Sequence, residues 1–290
     1  MKVAIATDGN SSFTKKTAEE AGIFFMNMPV IIDGENYYQD ENLTPAMFYT
    51  ALEEDKDVTT SQPAPGDIMD FWDSILEKGY DQIVYIPMSS GLSESCNTAK
   101  LLAEDYEGKV EVVDGHGISG TQTASVYNAI DMANNGYDAK KIRERLEETA
   151  FEQSIYIAVD TLKYLKKGGR VTPAGAALGT ALGIKPILTI QGGKLDAFAK
   201  VRGMHKCESK MIDAIKKDLA ERFTDVGLED ICMFTAGTLM TEEEEIQWLN
   251  AIRTEFPEMG DIQYWPLSLS IGAHIGPGSL AIGIVKRFHK

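Results

Sequence analysis

Hydroxyl and amide side chains are concentrated in three short segments, each of which we expect to lie just after a strand. The segments are Asp8-Gly9-Asn10-Ser11-Ser12, Thr59-Thr60-Ser61-Gln62-Pro63-Ala64-Pro65-Gly66 and Ser89-Ser90-Gly91-Leu92-Ser93. Side chains of these types can hold an anion with neutral donors, or they can cap a helix by accepting from its free N–H groups. Open α/β sheets place ligands at the carboxyl ends of their strands. All three segments are therefore candidate sites.

The first two segments favour different uses. In residues 8–12 we expect the side chains to cap the helix that follows. In residues 59–66 two prolines stiffen a cluster of hydroxyls and an amide, which favours a rigid loop that grips a carboxylate. The alternative for the second segment is a loop that caps a helix beginning at Asp67, for which Gly66 and Asp67 would suffice.

The third segment, residues 89–93, opens a predicted helix, whose free N–H groups and positive end would face an anion. Helix capping and ligand binding are both open here. A nucleophilic Ser93 has less support, because the glycine-serine-glycine elbow of hydrolases is absent and Glu94 follows with no obvious base nearby.

A basic segment in the second half, Leu162 to Thr172, stands out in an otherwise acidic chain. Gly168 and Gly169 end a short helix there and present Arg170 from an irregular stretch. Arg170 is either a phosphate-facing or partner-facing group, or part of a solvated helix end.

Two further segments are rich in small residues. Ala174 to Gly183 leaves room beside it for a neighbouring backbone or for the tail of an apolar ligand. Ile271 to Gly278 places the lone His274 in a glycine-rich bend, where it is either a site residue or a buried, hydrogen-bonded histidine.

Composition excludes several classes of protein. The 290 residues are enough for two modest domains, and 44 acidic against 28 basic residues give a net charge of -16, which repels nucleic acid. No run of about 18 apolar residues could span a bilayer. The three cysteines are scattered, which predicts neither a structural zinc site nor disulfides and favours a reducing cytoplasm.

The elements that must position these residues follow from short Val- and Ile-rich runs alternating with amphipathic stretches, a pattern typical of a largely parallel α/β sheet. The predicted strands of the first half are Val3 to Thr7, Phe25 to Ile32, Gln82 to Pro87 and Val110 to Asp114. The predicted helices of the first half are Thr14 to Ala21, Pro45 to Glu54, Asp67 to Lys78, Glu94 to Tyr106, Ile118 to Asn134 and Ala139 to Phe151.

A second cycle of elements follows near residue 152, so we expect two α/β domains, 1–152 and 153–290. Its predicted strands are Ser154 to Val159, Pro186 to Ile190, Leu195 to Ala199, Asp230 to Thr235, Ile262 to Pro266 and Ser279 to Lys286. Its predicted helices are Leu162 to Lys167, Lys206 to Phe223 and one starting at Thr241. The second and third strands, joined through Gly192-Gly193, are predicted to form a hairpin.

In order along essentially its whole length, the chain resembles the DegV family of bacterial fatty-acid-binding proteins. The motifs that carry the resemblance are Thr7-Asp8, Thr60-Ser61-Gln62-Pro63, Ser89-Ser90-Gly91-Leu92-Ser93, Leu162 to Arg170, Lys185-Pro186-Ile187-Leu188, Val201-Arg202 and His274-Ile275-Gly276-Pro277-Gly278. Three residues in two segments depart from the family pattern. Glu94-Ser95 stands where relatives resemble Gly-Thr, and Gly9 stands where they commonly show serine.

The resemblance implies a long-chain fatty acid buried between two α/β domains, with its carboxylate held by Thr60 and Ser93. Ser61, Ser90 and His274 are the further ligand-binding residues expected around it, and Arg170 and Arg202 are expected to face a partner or a phosphate. It also implies a non-catalytic carrier that presents the carboxylate to a separate ATP-dependent fatty acid kinase subunit. We expect no catalytic residue, no metal and no cofactor other than the bound fatty acid.

Two alternatives stay open on the sequence. One is a stand-alone acyl hydrolase or transferase with Ser93 as nucleophile and His274 as base. The other is a lipid store or sensor without a phosphorylating partner.

Overall fold

The computed structural model describes residues 1–178, 183–191, 193–238, 241–260 and 262–288. Within these ranges the chain has a mixed α/β fold, as predicted. Residues 179–182 of the predicted small-residue segment and Gly192 of the predicted hairpin turn lie outside the described residues. No helix of the described ranges is long and apolar enough to cross a membrane.

The first half forms short strands separated by helices. In chain order the strands are β1 (Val3–Asp8), β2 (Phe24–Met26), β3 (Pro29–Ile32), β4 (Glu35–Tyr38), β5 (Val58–Thr60), β6 (Gln82–Ile86) and β7 (Val110–Val112). The helices are α1 (Lys15–Glu20), α2 (Pro45–Glu53), α3 (Pro65–Leu76), α4 (Ser95–Ala103), α5 (Gly120–Asn134) and α6 (Ala139–Glu148). A 3-10 turn over Glu104–Tyr106 extends α4.

A parallel sheet in the order β2-β1-β6-β7 forms the centre of this half, as the alternating pattern predicts. Strand β6 is almost continuously buried, which is typical of a parallel strand covered by helices on both faces. Helix α3 is one of the helices that cover this sheet. Its Ile68, Trp72 and Ile75 are fully buried at spacings of four and three, so they share one helix face and pack on the sheet.

The predicted single strand from Phe25 to Ile32 is wrong, because the chain changes sheets within it. Strand β2 belongs to the parallel sheet, whereas β3 pairs with β4 and β5 in a small antiparallel sheet. At the break, Asn27 Oδ1 accepts from the backbone N–H of Met28, and Asn27 Nδ2 donates to the Gln39 carbonyl at 2.7 Å. The small sheet matters for the site because β5 ends at Thr60.

The second half adds a larger mixed sheet. Its strands are β8 (Gln153–Ala158), β9 (Ile184–Ile190), β10 (Asp196–Arg202), β11 (Ile231–Gly237), β12 (Gln263–Tyr264) and β13 (Leu280–Lys286). Its helices are α7 (Lys163–Gly168), α8 (Pro173–Ala176), α9 (Met204–Glu221), α10 (Glu242–Glu255) and α11 (Leu269–Ile275). The strand order is β10-β9-β8-β13-β11-β12, with β11 and β12 parallel and the other neighbours antiparallel.

The structure confirms one prediction about this half and contradicts another. The hairpin is confirmed, since β9 and β10 pair antiparallel. The glycine-rich bend around His274 is wrong, because His274 lies on α11, which Ser268 caps by accepting from the Ile271 N–H. The division of the chain at residue 152 stays a prediction.

The predicted cap of the first helix is wrong, and so is the alternative in which Gly66 and Asp67 cap α3. Helix α1 is capped by Thr14, whose hydroxyl exchanges hydrogen bonds with Thr17, so the side chains of residues 8–12 are not used for that purpose. Helix α3 begins earlier than predicted, at Pro65. The ring of proline fixes φ at a helical value, and its missing N–H costs nothing at the first position of a helix. Gly66 and Asp67 consequently lie inside its first turn.

One link between the two halves is Asn128 of α5, a helix that contacts β8, β11 and β13. Asn128 Nδ2 donates to the Lys286 carbonyl at 3.1 Å, and its Oδ1 accepts from the Phe288 N–H at 2.9 Å. One amide side chain thus satisfies two backbone groups at the end of β13 and ties them to the first half.

Replacing Asn128 with alanine leaves both backbone groups without this partner, so we expect the free energy of unfolding to fall by about 1–2 kcal/mol. Denaturant unfolding would measure it. The matched control is Asn97→Ala, which removes an exposed amide whose partner, Glu94, is on the same turn of chain. Equal losses for both variants would contradict the assigned role.

Candidate functional site

A cavity lies on one face of the larger mixed sheet, and residues from both halves of the chain form its wall. Most of the wall is apolar. The apolar residues are Met28, Met88, Leu92, Ile118, Ile155, Ile157, Ile190, Leu195, Phe234, Leu267, Ile271, Ile275 and Ala281. The polar ones are Asn10, Thr60, Ser61, Gln62, Ser93, Ser119, Arg170, Ser270 and His274.

Five of these residues, which we call the polar cluster, are Thr60, Ser61, Ser93, Arg170 and His274. A hydrogen bond of 2.8 Å joins Thr60 Oγ1 to His274 Nε2, across 214 positions of sequence. Thr60 is the last residue of β5, and His274 lies in the last turn of α11. The small antiparallel sheet therefore has to pack on α11, and Val30 and Val58 of the sheet share a buried apolar cluster with Leu269 and Ala273 of the helix.

His274 is held against bare backbone. A Cβ built on Gly168 would lie 2.3 Å from His274 Nδ1, so only glycine lets the imidazole pack there. Nδ1 is buried and has no hydrogen-bond partner among the described residues. Burial, and secondarily the positive charge of Arg170, lowers the pKa of His274 from 6.5 to about 4. The imidazole is therefore neutral at physiological pH.

Arg170 follows the end of α7, where Gly169 adopts the left-handed conformation that terminates the helix. Its Nε donates to the Leu92 carbonyl at 3.3 Å, and its Nη1 donates to the Gly168 carbonyl. A guanidinium has five N–H donors, so others are left for a ligand or partner. Arg170 is the one cation of the described cavity wall, and that wall contains no carboxylate.

Ser93 lies on a loop built around the buried Ser89. The Ser89 carbonyl accepts from the N–H groups of Leu92 and Ser93, and the Ser89 hydroxyl accepts from the Gly91 N–H. Ser93 Oγ accepts from the Ser95 N–H at 3.2 Å, at the start of α4. The Ser93 side chain therefore assists the helix start and lines the cavity at the same time.

Beneath the loops lies Asp8, a fully buried carboxylate at the end of β1. It accepts from the N–H groups of Asn10 and Met88 and from the side-chain amide of Gln122. Burial raises the pKa of Asp8, while these hydrogen bonds act in the opposite direction. Asp8 thus ties the loop after β1 to the loop after β6, and so positions two sides of the cavity.

Sequence reasoning missed a second polar group on the wall, in which Ser270 donates to Asn10 Oδ1 at 2.5 Å and shares a hydrogen bond with Ser268. The sequence carries a weak signal for this group, because Ser268 and Ser270 stand at the start of an otherwise apolar segment. Phe234, an ordinary apolar residue of β11, carries no such signal. Its position on the wall could only be seen from the structure.

Two of the predicted site residues lie outside the cavity wall. The Ser90 N–H donates to Asp114 Oδ1 at 3.2 Å, behind the loop that carries Ser93. Arg202 is exposed at the end of β10. The other five predicted residues meet in the polar cluster.

The polar cluster offers neutral hydroxyls, one neutral imidazole and one guanidinium, beside a long apolar wall. Its net charge of one positive unit matches a single anionic group with an apolar body. No group of three or more His, Cys, Asp or Glu side chains among the described residues could hold a metal ion.

Comparison with known proteins places the whole chain in one group. Residues 2–287 match the family model described as uncharacterised protein, DegV family. A DegV domain-containing protein of Streptococcus pneumoniae is 30% identical, over 98% of this chain and 99% of its own length. Among solved structures, a fatty-acid-binding DegV family protein from Thermus thermophilus has a TM-score of 0.85 and 26% identity, covering 99% of this chain and 100% of its own. A DegV lipid-binding protein from Thermotoga maritima has a TM-score of 0.83 and 26% identity, with full coverage of both chains.

The depressed pKa of His274 makes stability depend on pH. Unfolded His274 takes up a proton below about pH 6.5, whereas folded His274 does so only below about pH 4. We therefore expect the free energy of unfolding to fall by up to about 3 kcal/mol more in the wild type than in His274→Gln as the pH drops from 6.5 to 4. Urea unfolding across this range checks it, and parallel pH profiles would contradict it.

Proposed function

This chain belongs to the DegV family. We propose that it binds one long-chain fatty acid in the cavity that both halves of the chain line, with the carboxylate at the polar cluster. The observation that carries the proposal is the combination of a long apolar wall with hydroxyls, one imidazole and one guanidinium gathered in a single cluster. The relatives from Thermus thermophilus and Thermotoga maritima support it, because they bind fatty acid and lipid.

The tail supplies most of the affinity. Each buried methylene stabilises the complex by about 0.8 kcal/mol, so a tail of ~15 methylenes contributes on the order of 12 kcal/mol before ordering costs. The head group contributes differently, because an ionised carboxylate that leaves water costs several kcal/mol unless donors replace its hydration.

Thr60 and Ser93 are the proposed carboxylate donors. The buried Nδ1 of His274 has no acceptor beside it, which favours the tautomer with its hydrogen on Nε2. His274 then donates to Thr60 Oγ1, and the Thr60 hydroxyl hydrogen is free for the carboxylate. His274 therefore orients Thr60, and Ser61 adds a further hydroxyl on the same wall.

We assign the protein as a bacterial, cytoplasmic carrier that presents the carboxylate to an ATP-dependent fatty acid kinase subunit, which converts it to an acyl phosphate. Neutral hydroxyls suit this role, because a carboxylate in a bidentate ion pair would be a poorer nucleophile. Arg170 donates two of its N–H groups to backbone carbonyls. We assign its remaining N–H groups to the transferred phosphate. Ser90 positions the loop, and exposed Arg202 faces the partner.

The stand-alone hydrolase has less support from the geometry. A Ser–His pair requires the imidazole to accept from the nucleophile and a third group to orient it. Here Nε2 of His274 is hydrogen-bonded to Thr60, and Nδ1, which lies beside Gly168, has no hydrogen-bond partner among the described residues. A lipid store or sensor would share the binding site but would not support acyl phosphate formation.

Loss of the carboxylate donors is the direct test of binding. We expect Thr60→Val and Ser93→Ala each to weaken fatty acid binding about ten- to a hundredfold, since each removes a hydrogen bond to a charged group. Mass spectrometry of solvent-extracted protein should find one fatty acid in the wild type and none in the double variant.

The matched control for Thr60→Val is Thr59→Val, the same change at the neighbouring exposed position of β5. It should retain the lipid. A wild-type protein that carries no lipid and refuses added fatty acid would overturn the proposed function.

Arg170 separates binding from phosphorylation. With a kinase subunit and ATP, we expect Arg170→Ala to lower acyl phosphate formation by about a hundredfold while fatty acid binding is retained, because its charge acts on the developing phosphate. Lys166→Ala, an exposed change four residues earlier, is the control. Loss of fatty acid binding in Arg170→Ala would show that Arg170 holds the carboxylate instead.

A further inference from the structure

We propose that Phe234 is the closed end of the cavity and sets the longest straight acyl chain that the protein accepts. The proposal rests on the proposed function, since it concerns the tail of the same ligand. It assigns a specificity-determining residue that touches only the terminal methyl end of the tail, far from the carboxylate.

The strand register places Phe234 away from the polar cluster. The cluster lies where β11 ends, because Thr238 just after this strand donates to the carbonyl of Gly276, two residues beyond His274. Phe234 lies four residues back along β11, which corresponds to about 13 Å. It pairs with Gly283, which in turn pairs with Ile155, another wall residue. The cavity thus runs along one face of the sheet, from His274 to the row of Phe234.

Two glycines hold the Phe234 ring in place. A Cβ built on Gly120 of α5 would lie 2.3 Å from the ring, and a Cβ built on Gly283 of β13 would lie 2.3 Å from its Cζ. The ring therefore lies directly on the backbone of an element from each half of the chain. It is 1% exposed and stacks on Trp265, with ring centroids 5.5 Å apart. A ring held on three sides cannot move aside to admit a longer tail.

Buried apolar residues continue beyond the ring. Cys232 and Val285 are the next pair on the same face of the sheet, and with Ala124 they form a separate buried cluster. Trp265 packs against both this cluster and the cavity wall. Phe234 is thus the side chain that divides the tail cavity from apolar residues that could extend it. The two glycines have no side chains to fill the gap if the ring is removed.

The inference predicts a sharp length limit for straight saturated chains. Below the limit each added methylene is buried and tightens binding about fourfold. Above it the tail meets a fixed ring and affinity falls, because a packed wall does not accept extra methylenes.

The experiment measures dissociation constants for straight saturated acids from dodecanoate to docosanoate. The proteins are the wild type, Phe234→Leu and Phe234→Ala, with a competing fluorescent fatty acid as the probe. We expect the length of tightest binding to increase by about four methylenes in Phe234→Ala, which removes six ring carbons, and by fewer in Phe234→Leu. The leucine variant retains most of the bulk and provides the test if the alanine variant fails to fold.

The control is Met233→Ala, a large-to-small change at the neighbouring buried position of β11, whose side chain packs on the opposite face of the sheet. It should leave the preferred length unchanged. An unchanged preferred length in both Phe234 variants would overturn the inference and leave fatty acid binding intact. A wild type that binds no acid of the series would overturn the proposed function itself. Thr60→Val separates the two ends further, since it should weaken every chain length by the same factor.

Discussion

The hydrogen bond between Thr60 and His274 is the contact on which the arrangement of the site depends. It is formed by the last residue of a three-residue strand and by the last turn of a seven-residue helix, neither of which would be stable alone. Both elements hold their places because they pack on each other. The same constraint accounts for Gly168, since any side chain there would displace the imidazole. The packing of β3, β5 and α2 on α11 is therefore a requirement of the site.

The electrostatics of the molecule differ between its surface and its cavity. The chain carries a net charge of -16, which disfavours the approach of any anion from solution. The described wall of the cavity has one guanidinium, a neutral imidazole and no carboxylate. For the proposed ligand, an anion with a long apolar tail, burial of the tail offsets the unfavourable surface. A small anion without a tail lacks that compensation, so under the proposed function the overall charge contributes to selectivity.

Much of this arrangement could be predicted from the sequence, and the rest could not for identifiable reasons. The loops of Thr60 and Ser93 carry strong local signals, because hydroxyls, glycine and proline gather at strand ends. The parallel sheet follows from near-continuous apolar runs such as β6. The change of sheet at Asn27 was missed because the side-chain hydrogen bonds that cause it have no periodic signature.

Helix α11 was mistaken for a bend because it contains Gly272 and is followed by Gly276 and Gly278, and burial against the small sheet offsets the poor helix propensity of Gly272. The place of Phe234 on the cavity wall was missed because its contacts with Gly120 and Gly283 join residues that are distant in sequence.

The larger sheet has an open edge. Strand β10 is paired on one side only among the described strands, by β9, and such edges promote aggregation through strand addition. Asp196, Lys200 and Arg202 stand exposed along it, and its register shifts between Ala197 and Ala199. Charges and irregularities of this kind discourage a second copy from adding a strand. Arg202 is thus one of the charges that disfavour strand addition at this edge.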